Sequence, residues 1–157
     1  MLTKAKVEIG NKFFGAPGAE IVLGDELASK VHAIKCNWKF SRDGGAVGAI
    51  DLKNEDGSDV VLPAGFLIWD SVILVKTTVT SGGSATLAFA AESANDIKTA
   101  EAVATFSGNA KVAGIPVGSA ASAVLCTASR TPTLTVATAA LTAGEFDLFL
   151  FGVYQER

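Results

Sequence analysis

The sequence predicts an all-β fold, a jelly roll or β-sandwich of about eight antiparallel strands with one short helix. Three features predict it. Sixteen glycines, many of them inside Asp-Gly, Gly-Gly and Pro-Ala-Gly sequences, interrupt the chain often enough for short strands and tight turns. Residues 31–40 alternate with a period of two, which marks a strand buried on one side. Longer runs, above all Phe66 to Thr80, are dense in β-branched residues, which suit a pleated surface.

In Val31–Phe40, His32, Ile34, Cys36, Trp38 and Phe40 fall on one face, with Lys35, Asn37 and Lys39 on the other. Asp43-Gly44-Gly45 reads as a turn, because Asp tolerates the left-handed region and Gly enters it freely. A strand over Val47–Lys53 is expected to pair back on the first. Asp56-Gly57 and Pro63-Ala64-Gly65 bracket a short strand at Asp59–Leu62. Phe66–Thr80 is a long strand, and Ser81-Gly82-Gly83 closes it as a hairpin onto Ala85–Ala91, where Ala85, Leu87, Phe89 and Ala91 share a face.

Ser93 to Asp96 fits a capping box, followed at helical spacing by Ile97, Ala100 and Val103. The one short helix is therefore expected at Asp96–Thr105. Short strands follow near Val124–Thr127 and Thr133–Thr138. The last strand, Glu145–Tyr154, is apolar on both faces, so it lies between two layers or under a partner. Residues 1–30 differ in character: they form an arm with at most one edge strand, or else the first strand of the sandwich, and residues 31–157 form the sandwich domain.

Composition narrows the function. Apolar residues make up 49% of the 157 and charged residues only 18%, enough apolar surface for a single core without disulfide or metal. The net charge of −3 comes without a basic stripe, which argues against phosphate-directed binding of nucleic acid. Seventeen of the 29 charges lie in the first 60 residues, and Ala113–Ala143 holds only Arg130. Glycines, prolines and hydroxyl residues interrupt that tract, so it offers no membrane span. The start, Met1-Leu2-Thr3-Lys4, has no apolar signal core, and synthesis in a cytoplasm is expected.

No catalytic constellation emerges. Cys36 and Cys126 sit in apolar strand contexts and read as reduced, buried residues, and with His32 the single histidine they are too few for zinc. His32 itself alternates with core residues and reads as a strand residue rather than a base. Glu145 and Asp147 share a strand face and read as solvated surface rather than a glycosidase pair. The turn Asn54–Asp59 is acidic, but Leu52 and Pro63 stand where an EF-hand needs acids. Trp38 and Trp69 suit core packing better than a sugar platform. No cofactor or metal is expected.

The segments that run from Leu62-Pro63-Ala64-Gly65-Phe66 through Thr77–Leu87 and Gly114-Ile115-Pro116-Val117-Gly118 to Leu134–Gly144 and Tyr154 resemble the jelly-roll decoration (cement) proteins of tailed-bacteriophage capsids. The likeness covers about Asp43 to Tyr154. It implies a non-enzymatic virion protein, made in the host cytoplasm, that binds the major capsid protein on the outside of the head as a homo-oligomer, a trimer before a dimer. On that reading the arm residues Phe13, Phe14, Ile21, Val22 and Leu23 contact the capsid. Phe149, Phe151, Val153, Tyr154, Val124 and Leu134 then serve the subunit interface, since interface cores are poor in charge. A carbohydrate-binding jelly roll of a tail fibre or baseplate, stacking sugars on Trp38, Trp69 or Tyr154, is the alternative.

Overall fold

The computed structural model describes residues 31–118 and 120–155. The expected arm, with Phe13, Phe14, Ile21, Val22 and Leu23, lies outside the described residues. The strand signals become two packed antiparallel sheets. Strands β1 (His32–Lys39), β2 (Gly48–Asp51), β3 (Phe66–Ser81), β4 (Thr86–Ala90), β5 (Lys98–Ala102), β6 (Lys111–Val117), β7 (Val124–Leu125), β8 (Thr133–Ala137) and β9 (Leu141–Tyr154) follow in chain order. The α-helical turn α1 (Phe40–Asp43) separates β1 from β2.

One sheet runs β1-β9-β3-β6, with β7 paired to β3, and the other runs β2-β8-β4-β5. The pairing is nested: β1 with β9, β2 with β8, β3 with β6, β4 with β5. A long two-stranded ribbon wound on itself gives this pattern, and the β9–β3 and β8–β4 ladders close the roll. The result is a β-sandwich with jelly-roll winding.

The winding corrects two expected hairpins. The segment after Asp43-Gly44-Gly45 does not pair along β1; β2 crosses to the other sheet and pairs with β8, and only Lys53 returns to bridge Asn37. Likewise Ser81-Gly82-Gly83 carries the chain between sheets, from β3 to β4. A Gly-rich reversal reports that the chain turns, not which layer the next strand joins. Asp59–Leu62 forms only isolated bridges, to Lys53 and Arg130.

The helix is also elsewhere. Asp96 does not cap a helix; its carboxylate accepts the backbone N–H groups of Ala91 (2.7 Å), Glu92 (2.9 Å) and Ser93 (2.7 Å). That cluster fixes a reversal after β4, with Asn95 at φ 62°, and residues 98–102 pair back as β5. Ile97 is fully enclosed while Ala100 is exposed, so the helical spacing never formed a common buried face. The α-helical turn is α1, where the Asp43 carboxylate accepts the Lys39 N–H at 2.9 Å and Gly44 at φ 72° ends the turn.

The core lies between the sheets and is organised by aromatic rings. Trp38 stacks on Phe146 (centroids 5.2 Å apart), Phe146 meets Phe89 edge-on (5.3 Å), and Phe89 packs on Phe106 (6.0 Å). These rings link β1, β9 and β4, and Trp38 Nε1 donates to the Gly44 carbonyl at 3.0 Å. Gly144, at φ 135°, lies so close that an added Cβ would sit 2.8 Å from Val79 Cα and 3.1 Å from the Trp38 ring. Ala85, Leu87, Phe89 and Ala91 do share a buried face.

Outside the core, Glu92 ties the turn after β4 to the loop before β8. Its carboxylate accepts both Arg130 Nε (2.8 Å) and Nη2 (2.9 Å), together with the Thr127 hydroxyl. The Arg130 guanidinium, then the Thr127 hydroxyl, hold its pKa at about 2 rather than the ordinary 4.5. A depressed carboxyl pKa stabilises the fold above about pH 4.5, and that stabilisation is lost as pH falls through about 2. Glu92→Gln is therefore expected to lower the urea midpoint at pH 7, and the gap from the unaltered protein should close between those two pH values. A gap that stays constant down to pH 2 would mean the ion pair contributes nothing to acid stability.

Candidate functional site

The register of the five-stranded sheet assigns every side chain to a face, because residues directly opposite in an antiparallel pair point the same way. Cys36, Leu148 and Ile73 are opposite one another and buried, as are Trp38, Phe146 and Val75; they form the inner face. The outer face is then read row by row. One row holds Val153, Leu67 and Leu125; the next Ala33, Phe151 and Asp70; the next Lys35, Phe149, Val72 and Ala113; the next Asn37, Asp147, Leu74 and Lys111.

Three of these rows are mostly apolar, and the second sheet does not cover them. Val117, beside Asp70, is 58% exposed. Phe149, Phe151, Val153, Leu67, Val72 and Leu125 are half-buried. Phe149 and Phe151 lie nearly parallel, 17° between planes, with centroids 6.4 Å apart. Trp69 is the extra residue in a bulge of β3 between Ile68 and Asp70 and is also half-buried. The side of this sheet turned away from the core thus carries an apolar strip that the second sheet does not cover.

The opposite end of the same face is polar and closed on itself. Asp147 is only 5% exposed, against the expectation of a solvated pair with Glu145. It lies between Lys35 Nζ (3.3 Å) and Lys76 Nζ (3.0 Å), and accepts from Asn37 Nδ2 at 2.9 Å. Lys76 also reaches Glu145 (3.3 Å), Lys39 reaches Glu145 (3.5 Å), and Lys35 donates to Glu55 at 2.8 Å. The hydrogen bond to Glu55 raises the Lys35 pKa and lowers that of Glu55. At Lys76 burial opposes the charge, but the bonds to Asp147 and Glu145 outweigh it and the pKa rises. These groups partner one another, so this end is a built surface rather than an open charged site.

The remaining candidates are spread through the fold. Phe149, Phe151 and Val153 share the outer face. Tyr154 is opposite Phe66 at the end of β9 and 37% exposed. Val124 is opposite buried Ile68 and packs against the core, and Leu134 is fully enclosed, so its side chain serves the core alone. Reading β9 as apolar on both faces found half of the strip. The other half, Leu67 and Val72, carries the same signal in β3, where both alternating sets of residues 66–75 are largely apolar.

Cys36 and Cys126 are buried and unpaired with each other. Burial, then the Asp147 charge, pushes the Cys36 thiol to about 12; burial, then the charges of Glu92 and Asp96, pushes Cys126 to about 11. Both are protonated at neutral pH and unsuited to nucleophilic attack. In the acidic turn, Asp56 accepts from Ser58 and Asp59 pairs with Lys53. No group of three or more metal-binding side chains occurs among the described residues, and no helix there is long and apolar enough to cross a membrane. Trp38, fully enclosed, presents no face to a sugar.

No protein-family model and no curated protein matches this sequence. Among solved structures, the fold is shared with a chain from the capsid of Ralstonia phage GP4, with a TM-score of 0.54 and 18% identity over 94% of each chain. It is also shared with a chain from the acidic stable capsid structure of Helicobacter pylori bacteriophage KHP30, with a TM-score of 0.55 and 13% identity over 82% of this chain and 91% of that one. At such identities the likeness is one of fold, and it extends over most of both partners.

Proposed function

We propose that this protein is a capsid decoration (cement) protein of a tailed bacteriophage. It binds the outer surface of the head as a homo-oligomer, a trimer before a dimer, and bridges neighbouring shell subunits. The observation that carries this reading is the apolar outer face of the five-stranded sheet, centred on Phe149 and Phe151, which the second sheet leaves uncovered. That face joins one subunit to the next, and the arm residues Phe13, Phe14, Ile21, Val22 and Leu23 contact the shell protein. The likeness to chains from two phage capsids supports the reading at the level of fold.

The mechanism is mass action. A protein that binds the assembled lattice, and not its separated parts, stabilises the lattice, and repetition across the shell multiplies a modest contribution per site. No bond is made or broken, so the protein acts without catalysis. The alternative of a sugar-binding module loses one of its platforms with the burial of Trp38.

Copy number in purified particles, counted by mass spectrometry against the major capsid protein, tests the reading. Hundreds of copies in simple ratio to the shell protein are expected. A handful of copies would move the protein to the tail or neck, and absence would remove it from the particle altogether.

A further inference from the structure

We infer that the apolar strip on the five-stranded sheet closes on a second copy of this chain through a specifying ion pair, Lys35 of one copy against Asp70 of the next. The inference rests on the proposed subunit role of that face and names what selects the partner. It starts from where the register puts two side chains of opposite sign. Lys35 is opposite Phe149, and Asp70 is opposite Phe151. Ala33 completes the row of Phe151, and Val72 the row of Phe149. Lys35 and Asp70 therefore hold diagonal corners of a block two rows high and three strands wide, with Phe149 and Phe151 stacked at its centre. Strands about 4.8 Å apart, and like-facing residues about 6.8 Å apart along a strand, separate the corners by about 12 Å. Within the chain the two groups are kept apart: Glu55 (2.8 Å) and Asp147 (3.3 Å) hold the Lys35 ammonium at the polar end of the face.

The strip thus carries a cation on its β1 flank and a carboxylate on its β3 flank. A rotation about an axis that runs along the strands beside the aromatic pair brings the β1 flank of one copy to the β3 flank of the next. The offset that remains is one row, about 6.8 Å along the strands, which the long lysine side chain spans. An ammonium has three donors, so Lys35 can meet the next copy's Asp70 while it keeps Glu55 and Asp147.

Asp70 also rules against an arbitrary apolar partner. Its carboxylate accepts the N–H of its neighbour Ser71 at 2.8 Å, and its cross-strand neighbours on the face are Phe151 and Val117. Covering the strip with a purely apolar surface buries that carboxylate without a cation, which is strongly unfavourable. A second copy covers the strip and supplies the lysine at the same time. The pair adds selectivity to an apolar contact that by itself has little.

A double-mutant cycle on the self-association constant of the full chain, measured by sedimentation equilibrium, tests the pair. Asp70→Asn and Lys35→Gln are each expected to weaken association by about 10-fold, and the double variant by no more than the worse single, because both remove one contact. Lys35→Arg keeps the charge and should keep the association. Urea midpoints of the same variants should simply add, since residues about 12 Å apart do not couple within a chain; coupling in association alone therefore reports a contact between copies. If Lys35→Gln does not fold, Asp70→Asn decides: a loss of association supports the pair, and no change or a gain overturns it. Losses that multiply to about 100-fold in the double variant overturn the pair and leave the face as a subunit contact. An unaltered chain that does not self-associate overturns the pair together with the subunit role of the face.

Discussion

Trp38→Ala is expected to destabilise the protein by about 3–5 kcal/mol, the range for removing a buried aromatic side chain. Domains are stable by only about 5–15 kcal/mol, so this change consumes much of the margin. The indole has no exposed surface, stacks on Phe146 and donates its N–H to the Gly44 carbonyl, which fixes the exit from α1. Its removal therefore leaves a cavity between the sheets and an acceptor without its donor. The urea midpoint with unchanged slope measures the effect. A loss below about 1 kcal/mol would mean that Phe146 and Phe89 collapse into the space, and that the aromatic column does not set the packing.

The second large effect concerns association. Phe151→Lys is expected to weaken self-association at least 30-fold, about 2 kcal/mol, as for a central interface aromatic. The fold should survive, because residue 151 is half-buried on the outer face and lies opposite Asp70, so a lysine there gains a cross-strand partner of opposite sign. Sedimentation equilibrium gives the association constant and the urea midpoint checks the fold. Unchanged association with an intact fold would remove the outer face from the subunit interface.

Both predictions rest on β1 and β9, and these were also the most legible strands. Alternation across Val31–Phe40 placed Cys36 and Trp38 inside and Lys35 and Lys39 outside, and the two-faced apolar pattern of β9 pointed to a surface beyond the core. Asn37 and Asp147 broke the pattern. Both lie on the outer face yet are enclosed, because the segment that bridges back at Lys53 and the lysines at 35 and 76 cover them. Alternation records which way a side chain points, and not what another part of the chain later lays over it. Leu134 shows the converse: it looks like any apolar residue in a charge-poor tract, and only the packing of β8 against the first sheet assigned it to the core.

The helix expected at Asp96–Thr105 shows how a local pattern can serve another purpose. Serine followed three residues later by an acid supplies the atoms for a helix cap, but the same carboxylate can close a loop by taking three backbone donors. Pairing of residues 98–102 with β4 gave those backbone groups non-local partners, and this outweighed a weak helical spacing.

The sequence by itself determined the β-class, the reversals and the inner faces of the main strands, because turn chemistry and period two are properties of neighbouring residues. Only the tertiary structure decided which strands pair, since the ladders join residues as distant as His32 and Gly152 and depend on the winding of the whole ribbon. The same winding brings Phe149, Phe151, Leu67 and Val72 from β9 and β3 into one strip on the side the second sheet leaves bare. A surface made of residues far apart in the chain comes into being only when the roll closes.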